Sequence, residues 1–149
     1  MNRDAGGGAQ VRIRRIDPAV PLPSYQTSEA AGFDLAASQE VRIPPGEVRL
    51  IPTGLVVEVP HGFFLGIFAR SSTPLKRGLM VANGVGVIDP DYAGPEDEIK
   101  VQVVNFTRAE VVVRRGDRIA QGILLQATRV EWQEGETRAI SRGGFGSTG

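Results

Sequence analysis

Leu79-Met80-Val81-Ala82-Asn83-Gly84-Val85-Gly86-Val87-Ile88-Asp89-Pro90-Asp91-Tyr92-Ala93-Gly94 is the stretch whose pattern decides the fold. Two short apolar runs, Leu79 to Ala82 and Val85 to Ile88, flank Asn83 and Gly84. Both of those residues tolerate positive φ, so the pair predicts a two-residue hairpin. The same punctuation continues outward. On the N-terminal side lie Phe63 to Phe68, Leu55 to Val59, Val48 to Ile51, Val41 to Ile43 and a first strand-like segment at Val11, Ile13 and Ile16. On the C-terminal side lie Ile99 to Phe106, Val111 to Arg114, Arg118 to Gln126 and Val130 to Trp132. Pro18, Pro21 and Pro23 mark a loop or sheet edge, because proline cannot donate to a ladder. No window holds a helical period for three turns; Thr73 to Arg77, with Pro74 just inside its start, predicts one short helical turn.

Nineteen glycines and ten prolines, spread through 149 residues, suit many short strands joined by tight turns. Such strands bury one face and hide most of their edges by closing into a distorted β-barrel or a double-sheet jelly roll. The expected fold class is therefore all-β, and the length fits one domain, over residues 11–133. Residues 1–10 carry Gly6, Gly7 and Gly8 with almost nothing apolar to bury, and are expected to be disordered. Residues 134–149 form a polar, glycine-rich tail with one aromatic ring, Phe145, and are expected to be a flexible arm.

Seventeen basic residues balance seventeen acidic ones, so no overall field draws the chain onto nucleic acid or an anionic membrane. Any bound anion must be held by a local cluster. The absence of cysteine removes thiol nucleophiles, disulfides and cysteine-based metal sites, and fits an intracellular, cytoplasmic address. No apolar run approaches the length of about 18 residues that a membrane span requires, and the first ten residues lack the apolar stretch of a signal peptide. His61 is the only histidine, which rules out a histidine pair for a metal or a triad and suits a surface turn. Neither the Gly-x4-Gly-Lys-Ser/Thr loop nor a glycine-rich strand-to-helix turn for dinucleotides is present.

Five segments carry groups with chemistry. Arg70, Ser71 and Ser72 set a guanidinium fork beside two hydroxyls where a strand gives way to the helical turn, an arrangement suited to phosphate oxygens or, equally, to a solvated arginine and a Ser-Ser helix cap. At Gly86 to Gly94 an apolar strand delivers Asp89 to its own end, where a carboxylate can activate water; Asp91 would share its face if the chain stayed extended, and both also suit a proline turn. Arg115 to Gln121 looks like a tight turn feeding a buried strand, with Gln121 offering an amide. Ala31 to Leu35 looks like a turn with a lone carboxylate, Asp34. The tail combines exposed glycine N–H groups, Arg142, Ser147, Thr148 and a ring able to stack on a base.

In order and spacing these segments resemble the five motifs of the trimeric dUTPase family: Ala31 to Ala37, Ala69 to Ser72, Asn83 to Gly94, Gly116 to Gln121 and Arg142 to Gly149. The resemblance implies hydrolysis of dUTP to dUMP and pyrophosphate, which keeps uracil out of DNA and supplies dUMP for dTMP synthesis. It implies that Asp89 orients and deprotonates the attacking water, that Tyr92 lies against the deoxyribose, and that Asn83, Gly84 and Val87 meet the uracil edge. Arg70, Ser71, Ser72 and Gln121 would hold the phosphates. Phe145 would stack on uracil, Arg142, Ser147 and Thr148 would close over the γ end with Gly146 also binding substrate, and Asp34 would act through water. It implies further a Mg²⁺ ion bound chiefly by triphosphate and water, with no direct protein ligand. The assembly it implies is a homotrimer with shared active sites.

Two departures from the family pattern stand out. Pro95, Glu96 and Asp97 look like a three-residue insertion between Gly94 and Glu98. Arg142 abuts Gly143, where the family's arginine stands a few residues earlier, so Arg138 is an alternative for the γ-phosphate. The related dCTP deaminases need a glutamate on the strand after the third motif. Allowing for the insertion, that position here is Gln102, which cannot serve as their acid and base.

Overall fold

The structure, a computed structural model, describes residues 8–147. Residues 1–7, most of the expected disordered start, and Thr148 lie outside the described residues. Among the described residues the chain forms β1 (Arg12–Arg15), β2 (Phe33–Ala36), β3 (Val41–Ile43), β4 (Val48–Pro52), β5 (Leu55–Glu58) and β6 (Phe63–Ala69). After these come α1 (Ser72–Arg77), β7 (Leu79–Val81), β8 (Gly86–Ile88), β9 (Lys100–Asn105), β10 (Val111–Val113) and β11 (Arg118–Gln126). The fold is all-β of the jelly-roll type, as the punctuation implied. The ladders do not close into a barrel. They form four separate sheets, β2-β11-β6-β8, β4-β9-β7, β1-β5 and β10-β3, every pair antiparallel. Prolines cut two strands short before their hydrogen bonding can carry round: β3 runs into Pro44 and Pro45, and β4 ends on Pro52 ahead of Gly54.

All the large sheets feed one core. Leu35 of β2, Ile51 of β4, Leu65 of β6, Leu79 of β7, Val101 and Val103 of β9, Val113 of β10 and Ile119 of β11 belong to a single buried cluster. Period-two alternation does the sorting: in β9 Val101, Val103 and Asn105 are buried while Gln102 and Val104 are half-buried on the opposite face. That face, shared with β4 and β7, leaves Val48, Leu50 and Met80 about half exposed, with Val48 and Met80 both in register with Val104.

The expected hairpin at Asn83-Gly84 does not form. The turn is there: Gly84 has φ +76, its N–H donates to the Val81 carbonyl at 3.1 Å, and the Val85 N–H donates to the Asn83 carbonyl at 2.9 Å. Yet β7 pairs only with β9 and β8 only with β6, so the turn hands the chain from one sheet to another. Longer strands outcompete a local partner. β9 takes Val81 against Val103, and β6 takes Gly86 against Ile67, so closely that a Cβ on Gly86 would lie 2.9 Å from the Ile67 Cβ.

Two further expectations change. Ala31 to Leu35 is no simple turn: from Phe33 onward it is strand β2, because β11 offers an edge on which Asp34 stands opposite Gln121. Val130 to Trp132 makes no strand, since no free edge meets it among the described residues; Val130 is 63% and Trp132 93% exposed. The last backbone hydrogen bond tying this end to the body is donated by Ala127 N–H to the Gly62 carbonyl at 2.9 Å. The short helix appears where Pro74 predicted it, and it ends on Gly78 with φ +66.

Asn105, wholly buried, fastens β9 to its neighbours. Its Nδ2 donates to the Ile43 and Ala109 carbonyls, each at 2.8 Å, and its Oδ1 accepts from the Thr107 N–H at 2.9 Å and the Thr107 hydroxyl at 2.7 Å. All four hydrogen-bonding positions of the amide are used. Asn105→Ala would strip partners from buried groups on three segments, and we expect it to cost about 2–4 kcal/mol in urea unfolding; a loss within about 0.5 kcal/mol, the size of an ordinary surface change, would contradict this role.

Candidate active site in two halves

Strand β6 runs antiparallel to β11 from Ala69 opposite Ala120 to Phe63 opposite Gln126. On its far side β11 pairs with β2, Asp34 facing Gln121. The end of β6, the start of β11 and the middle of β2 therefore converge, and three sequence-predicted residues, Asp34, Arg70 and Gln121, meet there. The Asp34 carboxylate, 13% exposed, lies 2.9 Å from Arg70 Nε and 3.2 Å from Arg118 Nη1. Arg70 Nη1 donates to the Arg118 carbonyl at 3.2 Å and to Ser72 Oγ at 3.4 Å. Gln121 Nε2 donates to the Ala69 carbonyl at 3.0 Å. Two guanidiniums against one carboxylate leave a positive excess at this end, suited to an anion.

The Ser-Ser cap does not form. Ser71 stands at the N-cap with helical backbone angles and no side-chain cap bond. Thr73, buried, takes over: its Oγ1 accepts from Arg70 N–H at 3.0 Å and donates to the Ile119 carbonyl at 3.0 Å. Ser71 is thereby left exposed beside Arg70, its hydroxyl uncommitted among the described residues. Thr73 and Arg118 had not been singled out from the sequence. Arg118 becomes visible as a partner of Asp34 only once the β2/β11 register is known.

The second group lies elsewhere. β8 pairs with β6 so that Ile88 faces Leu65 and Gly86 faces Ile67, which puts Asp89 beyond Leu65 toward the beginning of β6. Arg70 follows the other end. The separation along the strand is six residues, about 20 Å at about 3.3 Å per residue. Asp89 is exposed and its carboxylate has no hydrogen bond or ion pair among the described residues. It lines a shallow depression with His61, Phe63, Asp91 and Arg129. The chain does not stay extended past it: Tyr92 N–H donates to the Asp89 carbonyl at 3.1 Å, closing a turn in which Asp91 leaves the strand line.

Asn83 and Gly84 are exposed in their turn, and Val87, 56% exposed, faces away from the core. Because β8 is the edge of its sheet, the outer backbone groups between Gly86 and Ile88 have no strand partner. Tyr92, 39% exposed, donates its hydroxyl to the Glu98 carbonyl at 3.1 Å. The inserted residues fold onto themselves: Gly94 N–H donates to Asp97 Oδ2 at 2.8 Å, and Asp97 N–H donates back to the Gly94 carbonyl at 3.0 Å.

Arg142, Phe145, Gly146 and Ser147 form a third group on the exposed tail. Phe145 is fully exposed with φ +50, and Ser147 N–H donates to the Gly144 carbonyl at 3.1 Å in a local turn. Among the described residues no hydrogen bond joins 128–147 to the rest of the chain, so the structure does not bring this group, with Arg138 or Arg142, to either half.

A jelly roll presenting a cationic cluster and a separate water-facing carboxylate defines a class, anion-handling all-β domains, and the comparisons narrow it. The family model described as dUTPase matches residues 19–149. The deoxyuridine 5'-triphosphate nucleotidohydrolase of Desulfitobacterium hafniense is 50% identical over 142 residues, covering 91% of each chain. That of Lactococcus lactis is 39% identical over 145 residues, 95% of this chain and 97% of its own. The crystal structure of dUTPase from Streptococcus mutans is similar with a TM-score of 0.75 at 34% identity, covering 83% of this chain and 100% of that one. The chain belongs to the dUTPase family.

Asp34→Ala should leave Arg70 and Arg118 adjacent without their shared carboxylate. We expect a loss of about 1.5–3 kcal/mol in stability, the range for hydrogen bonds to charged groups, and weaker binding of inorganic pyrophosphate. Unchanged stability together with unchanged anion affinity would show that Asp34 does not organise this end.

Proposed function

We propose that the chain hydrolyses dUTP to dUMP and pyrophosphate, with Asp89 as the base. The observation that carries this reading is the family match, which spans every one of the five segments, together with the placement of Asp89 at a strand end, facing water with no partner of its own. Asp89 takes a proton from water as its oxygen attacks the α-phosphorus. The bond from that phosphorus to the bridging oxygen breaks, and pyrophosphate leaves. Tyr92 lies against the deoxyribose, the unpaired edge of β8 with Asn83, Gly84 and Val87 meets uracil, and Arg70, Ser71, Ser72 and Gln121 hold phosphate oxygens. Asp34 serves by fixing Arg70.

The phosphate chain of one nucleotide, two P–O–P links long, is far shorter than the roughly 20 Å of backbone between Arg70 and Asp89 of one chain. A homotrimer with shared sites resolves this, the Arg70 half of one subunit facing the Asp89 half of another. The half-exposed apolar residues Val48, Leu50 and Met80 offer it a contact face. The tail, with Arg142 or Arg138, Phe145, Gly146, Ser147 and Thr148, then closes over bound nucleotide as a flexible arm. Mg²⁺ fits here as a hard cation held chiefly by triphosphate and water, the exposed carboxylates of Asp89 and Asp91 offering oxygens to such waters. When bound, it neutralises charge that the attacking water must approach. In the cytoplasm such an enzyme keeps uracil out of DNA and supplies dUMP for dTMP synthesis.

Incubation with Mg²⁺ and dUTP, dCTP, dTTP or UTP separately should yield pyrophosphate from dUTP alone. Asp89→Asn should retain dUTP binding and lose about 10²- to 10⁴-fold in turnover, the usual share of a general base. Pyrophosphate from the other nucleotides, or unchanged turnover in the variant, would refute the assignment.

A further inference from the structure

The inserted Pro95-Glu96-Asp97 segment is the part of the candidate site region that the family pattern leaves unexplained, and its hydrogen bonds give it a task. Tyr92 is held at both ends, by its N–H on the Asp89 carbonyl at 3.1 Å and by its hydroxyl on the Glu98 carbonyl at 3.1 Å. Glu98 is itself anchored, its Oε1 accepting from Gly54 N–H at 2.7 Å while the next residue, Ile99, donates its N–H to Leu55 at 2.8 Å. The ring thus spans the chain from residue 92 to residue 98, and what fixes the length of that span is the inserted turn. Asp97 closes it through the reciprocal bonds with Gly94, Glu98 N–H donates to the Glu96 carbonyl at 2.8 Å, and an Arg14 Nη1 bond to the Pro95 carbonyl ties the turn to β1. A Cβ on Gly94 would lie 3.0 Å from Asp97 Oδ2, so a side chain there would press on the carboxylate that closes the turn.

We propose that Asp97 is a positioning residue for Tyr92: by closing the inserted turn on Gly94 it sets where the Glu98 carbonyl stands, and so how firmly the tyrosine ring is held against the sugar. The inference rests on the proposed function, in which the Tyr92 ring lies against the deoxyribose, where a ribose 2′-hydroxyl would collide with it. A ring tethered at its far end resists displacement by an extra oxygen better than one that swings. The inserted carboxylates then have separate fates. Asp97 is consumed by backbone and does not meet the nucleotide, while the Glu96 side chain is exposed and makes no hydrogen bond or ion pair among the described residues.

The test is the ratio of kcat/KM for dUTP to kcat/KM for UTP, measured in Mg²⁺ on the full chain. Asp97→Ala should lower that ratio at least about tenfold, chiefly by raising kcat/KM for UTP, with turnover of dUTP much less affected. Asp97→Asn, which keeps an oxygen for Gly94 N–H, should restore the ratio to within about twofold, and Glu96→Ala should leave it unchanged. Tyr92→Phe, which keeps the ring and removes the tether, should reproduce Asp97→Ala, and stands as the test should Asp97→Ala fail to fold. A native protein that does not prefer dUTP to UTP overturns the functional reading and this inference with it. A native protein that does prefer dUTP, with Asp97→Ala (or Tyr92→Phe in its place) equally selective, or with Asp97→Asn as impaired as Asp97→Ala, overturns the inference alone.

Discussion

Strand β6 is hydrogen-bonded along both edges, to β11 over seven residue pairs and to β8 over three, and this double ladder fixes where Arg70 and Asp89 emerge. A one-residue slip would turn Leu65 and Ile67, both buried, toward the opposite face, so the core holds the register. With the register held, Arg70 must leave one end of the strand and Asp89 must lie toward the other. The glycines along this ladder serve the same constraint. Gly66 and Gly122 sit under the rings of Phe68 and Phe33, where an added Cβ would approach within 2.5 and 2.6 Å, and on Gly86 it would lie 2.9 Å from Ile67.

The consequence is a chain in which the Arg70 cluster and Asp89, the two halves of the proposed site, stand apart. At one end Asp34 restrains Arg70 and Arg118, so the guanidinium fork is oriented before any anion arrives and less entropy is lost on binding. At the other end Asp89 projects from a turn stiffened by Pro90 and Tyr92. In the proposed assembly, the outward face of the β4-β9-β7 sheet, with Val48, Leu50 and Met80 half exposed, offers a second copy an apolar contact surface.

Much of this could be read along the sequence, and what could not has a common cause. Strand positions were legible because prolines and glycines punctuate them; β11 falls on the expected Arg118 to Gln126, and the helix starts within a residue of the position Pro74 marked. Pairing was not legible. Asn83-Gly84 signals a turn, and a turn forms, but which sheet each flank joins depends on β6 and β9, which lie distant in sequence. Asp34 looked like a turn residue because the edge that makes it a strand belongs to β11, far along the chain. Thr73 and Arg118 carry no signal in the sequence for the same reason, since their partners, Ile119 and Asp34, are neighbours only after folding. Val130 to Trp132 has the composition of a strand, and among the described residues it pairs with no other strand.

The central claim is that one nucleotide is processed between an Arg70 half and an Asp89 half drawn from different chains. Its most direct measurement uses two variants, Arg70→Ala and Asp89→Asn, each purified, assayed alone, and then co-assembled in equal amounts with mixed assemblies verified by mass. Each alone should be nearly inactive on dUTP. The mixture should recover activity, since about one quarter of the sites in randomly mixed symmetric assemblies would combine an intact Arg70 with an intact Asp89. A verified mixed assembly no more active than its parents would contradict the account and require both residues of each site to come from one chain.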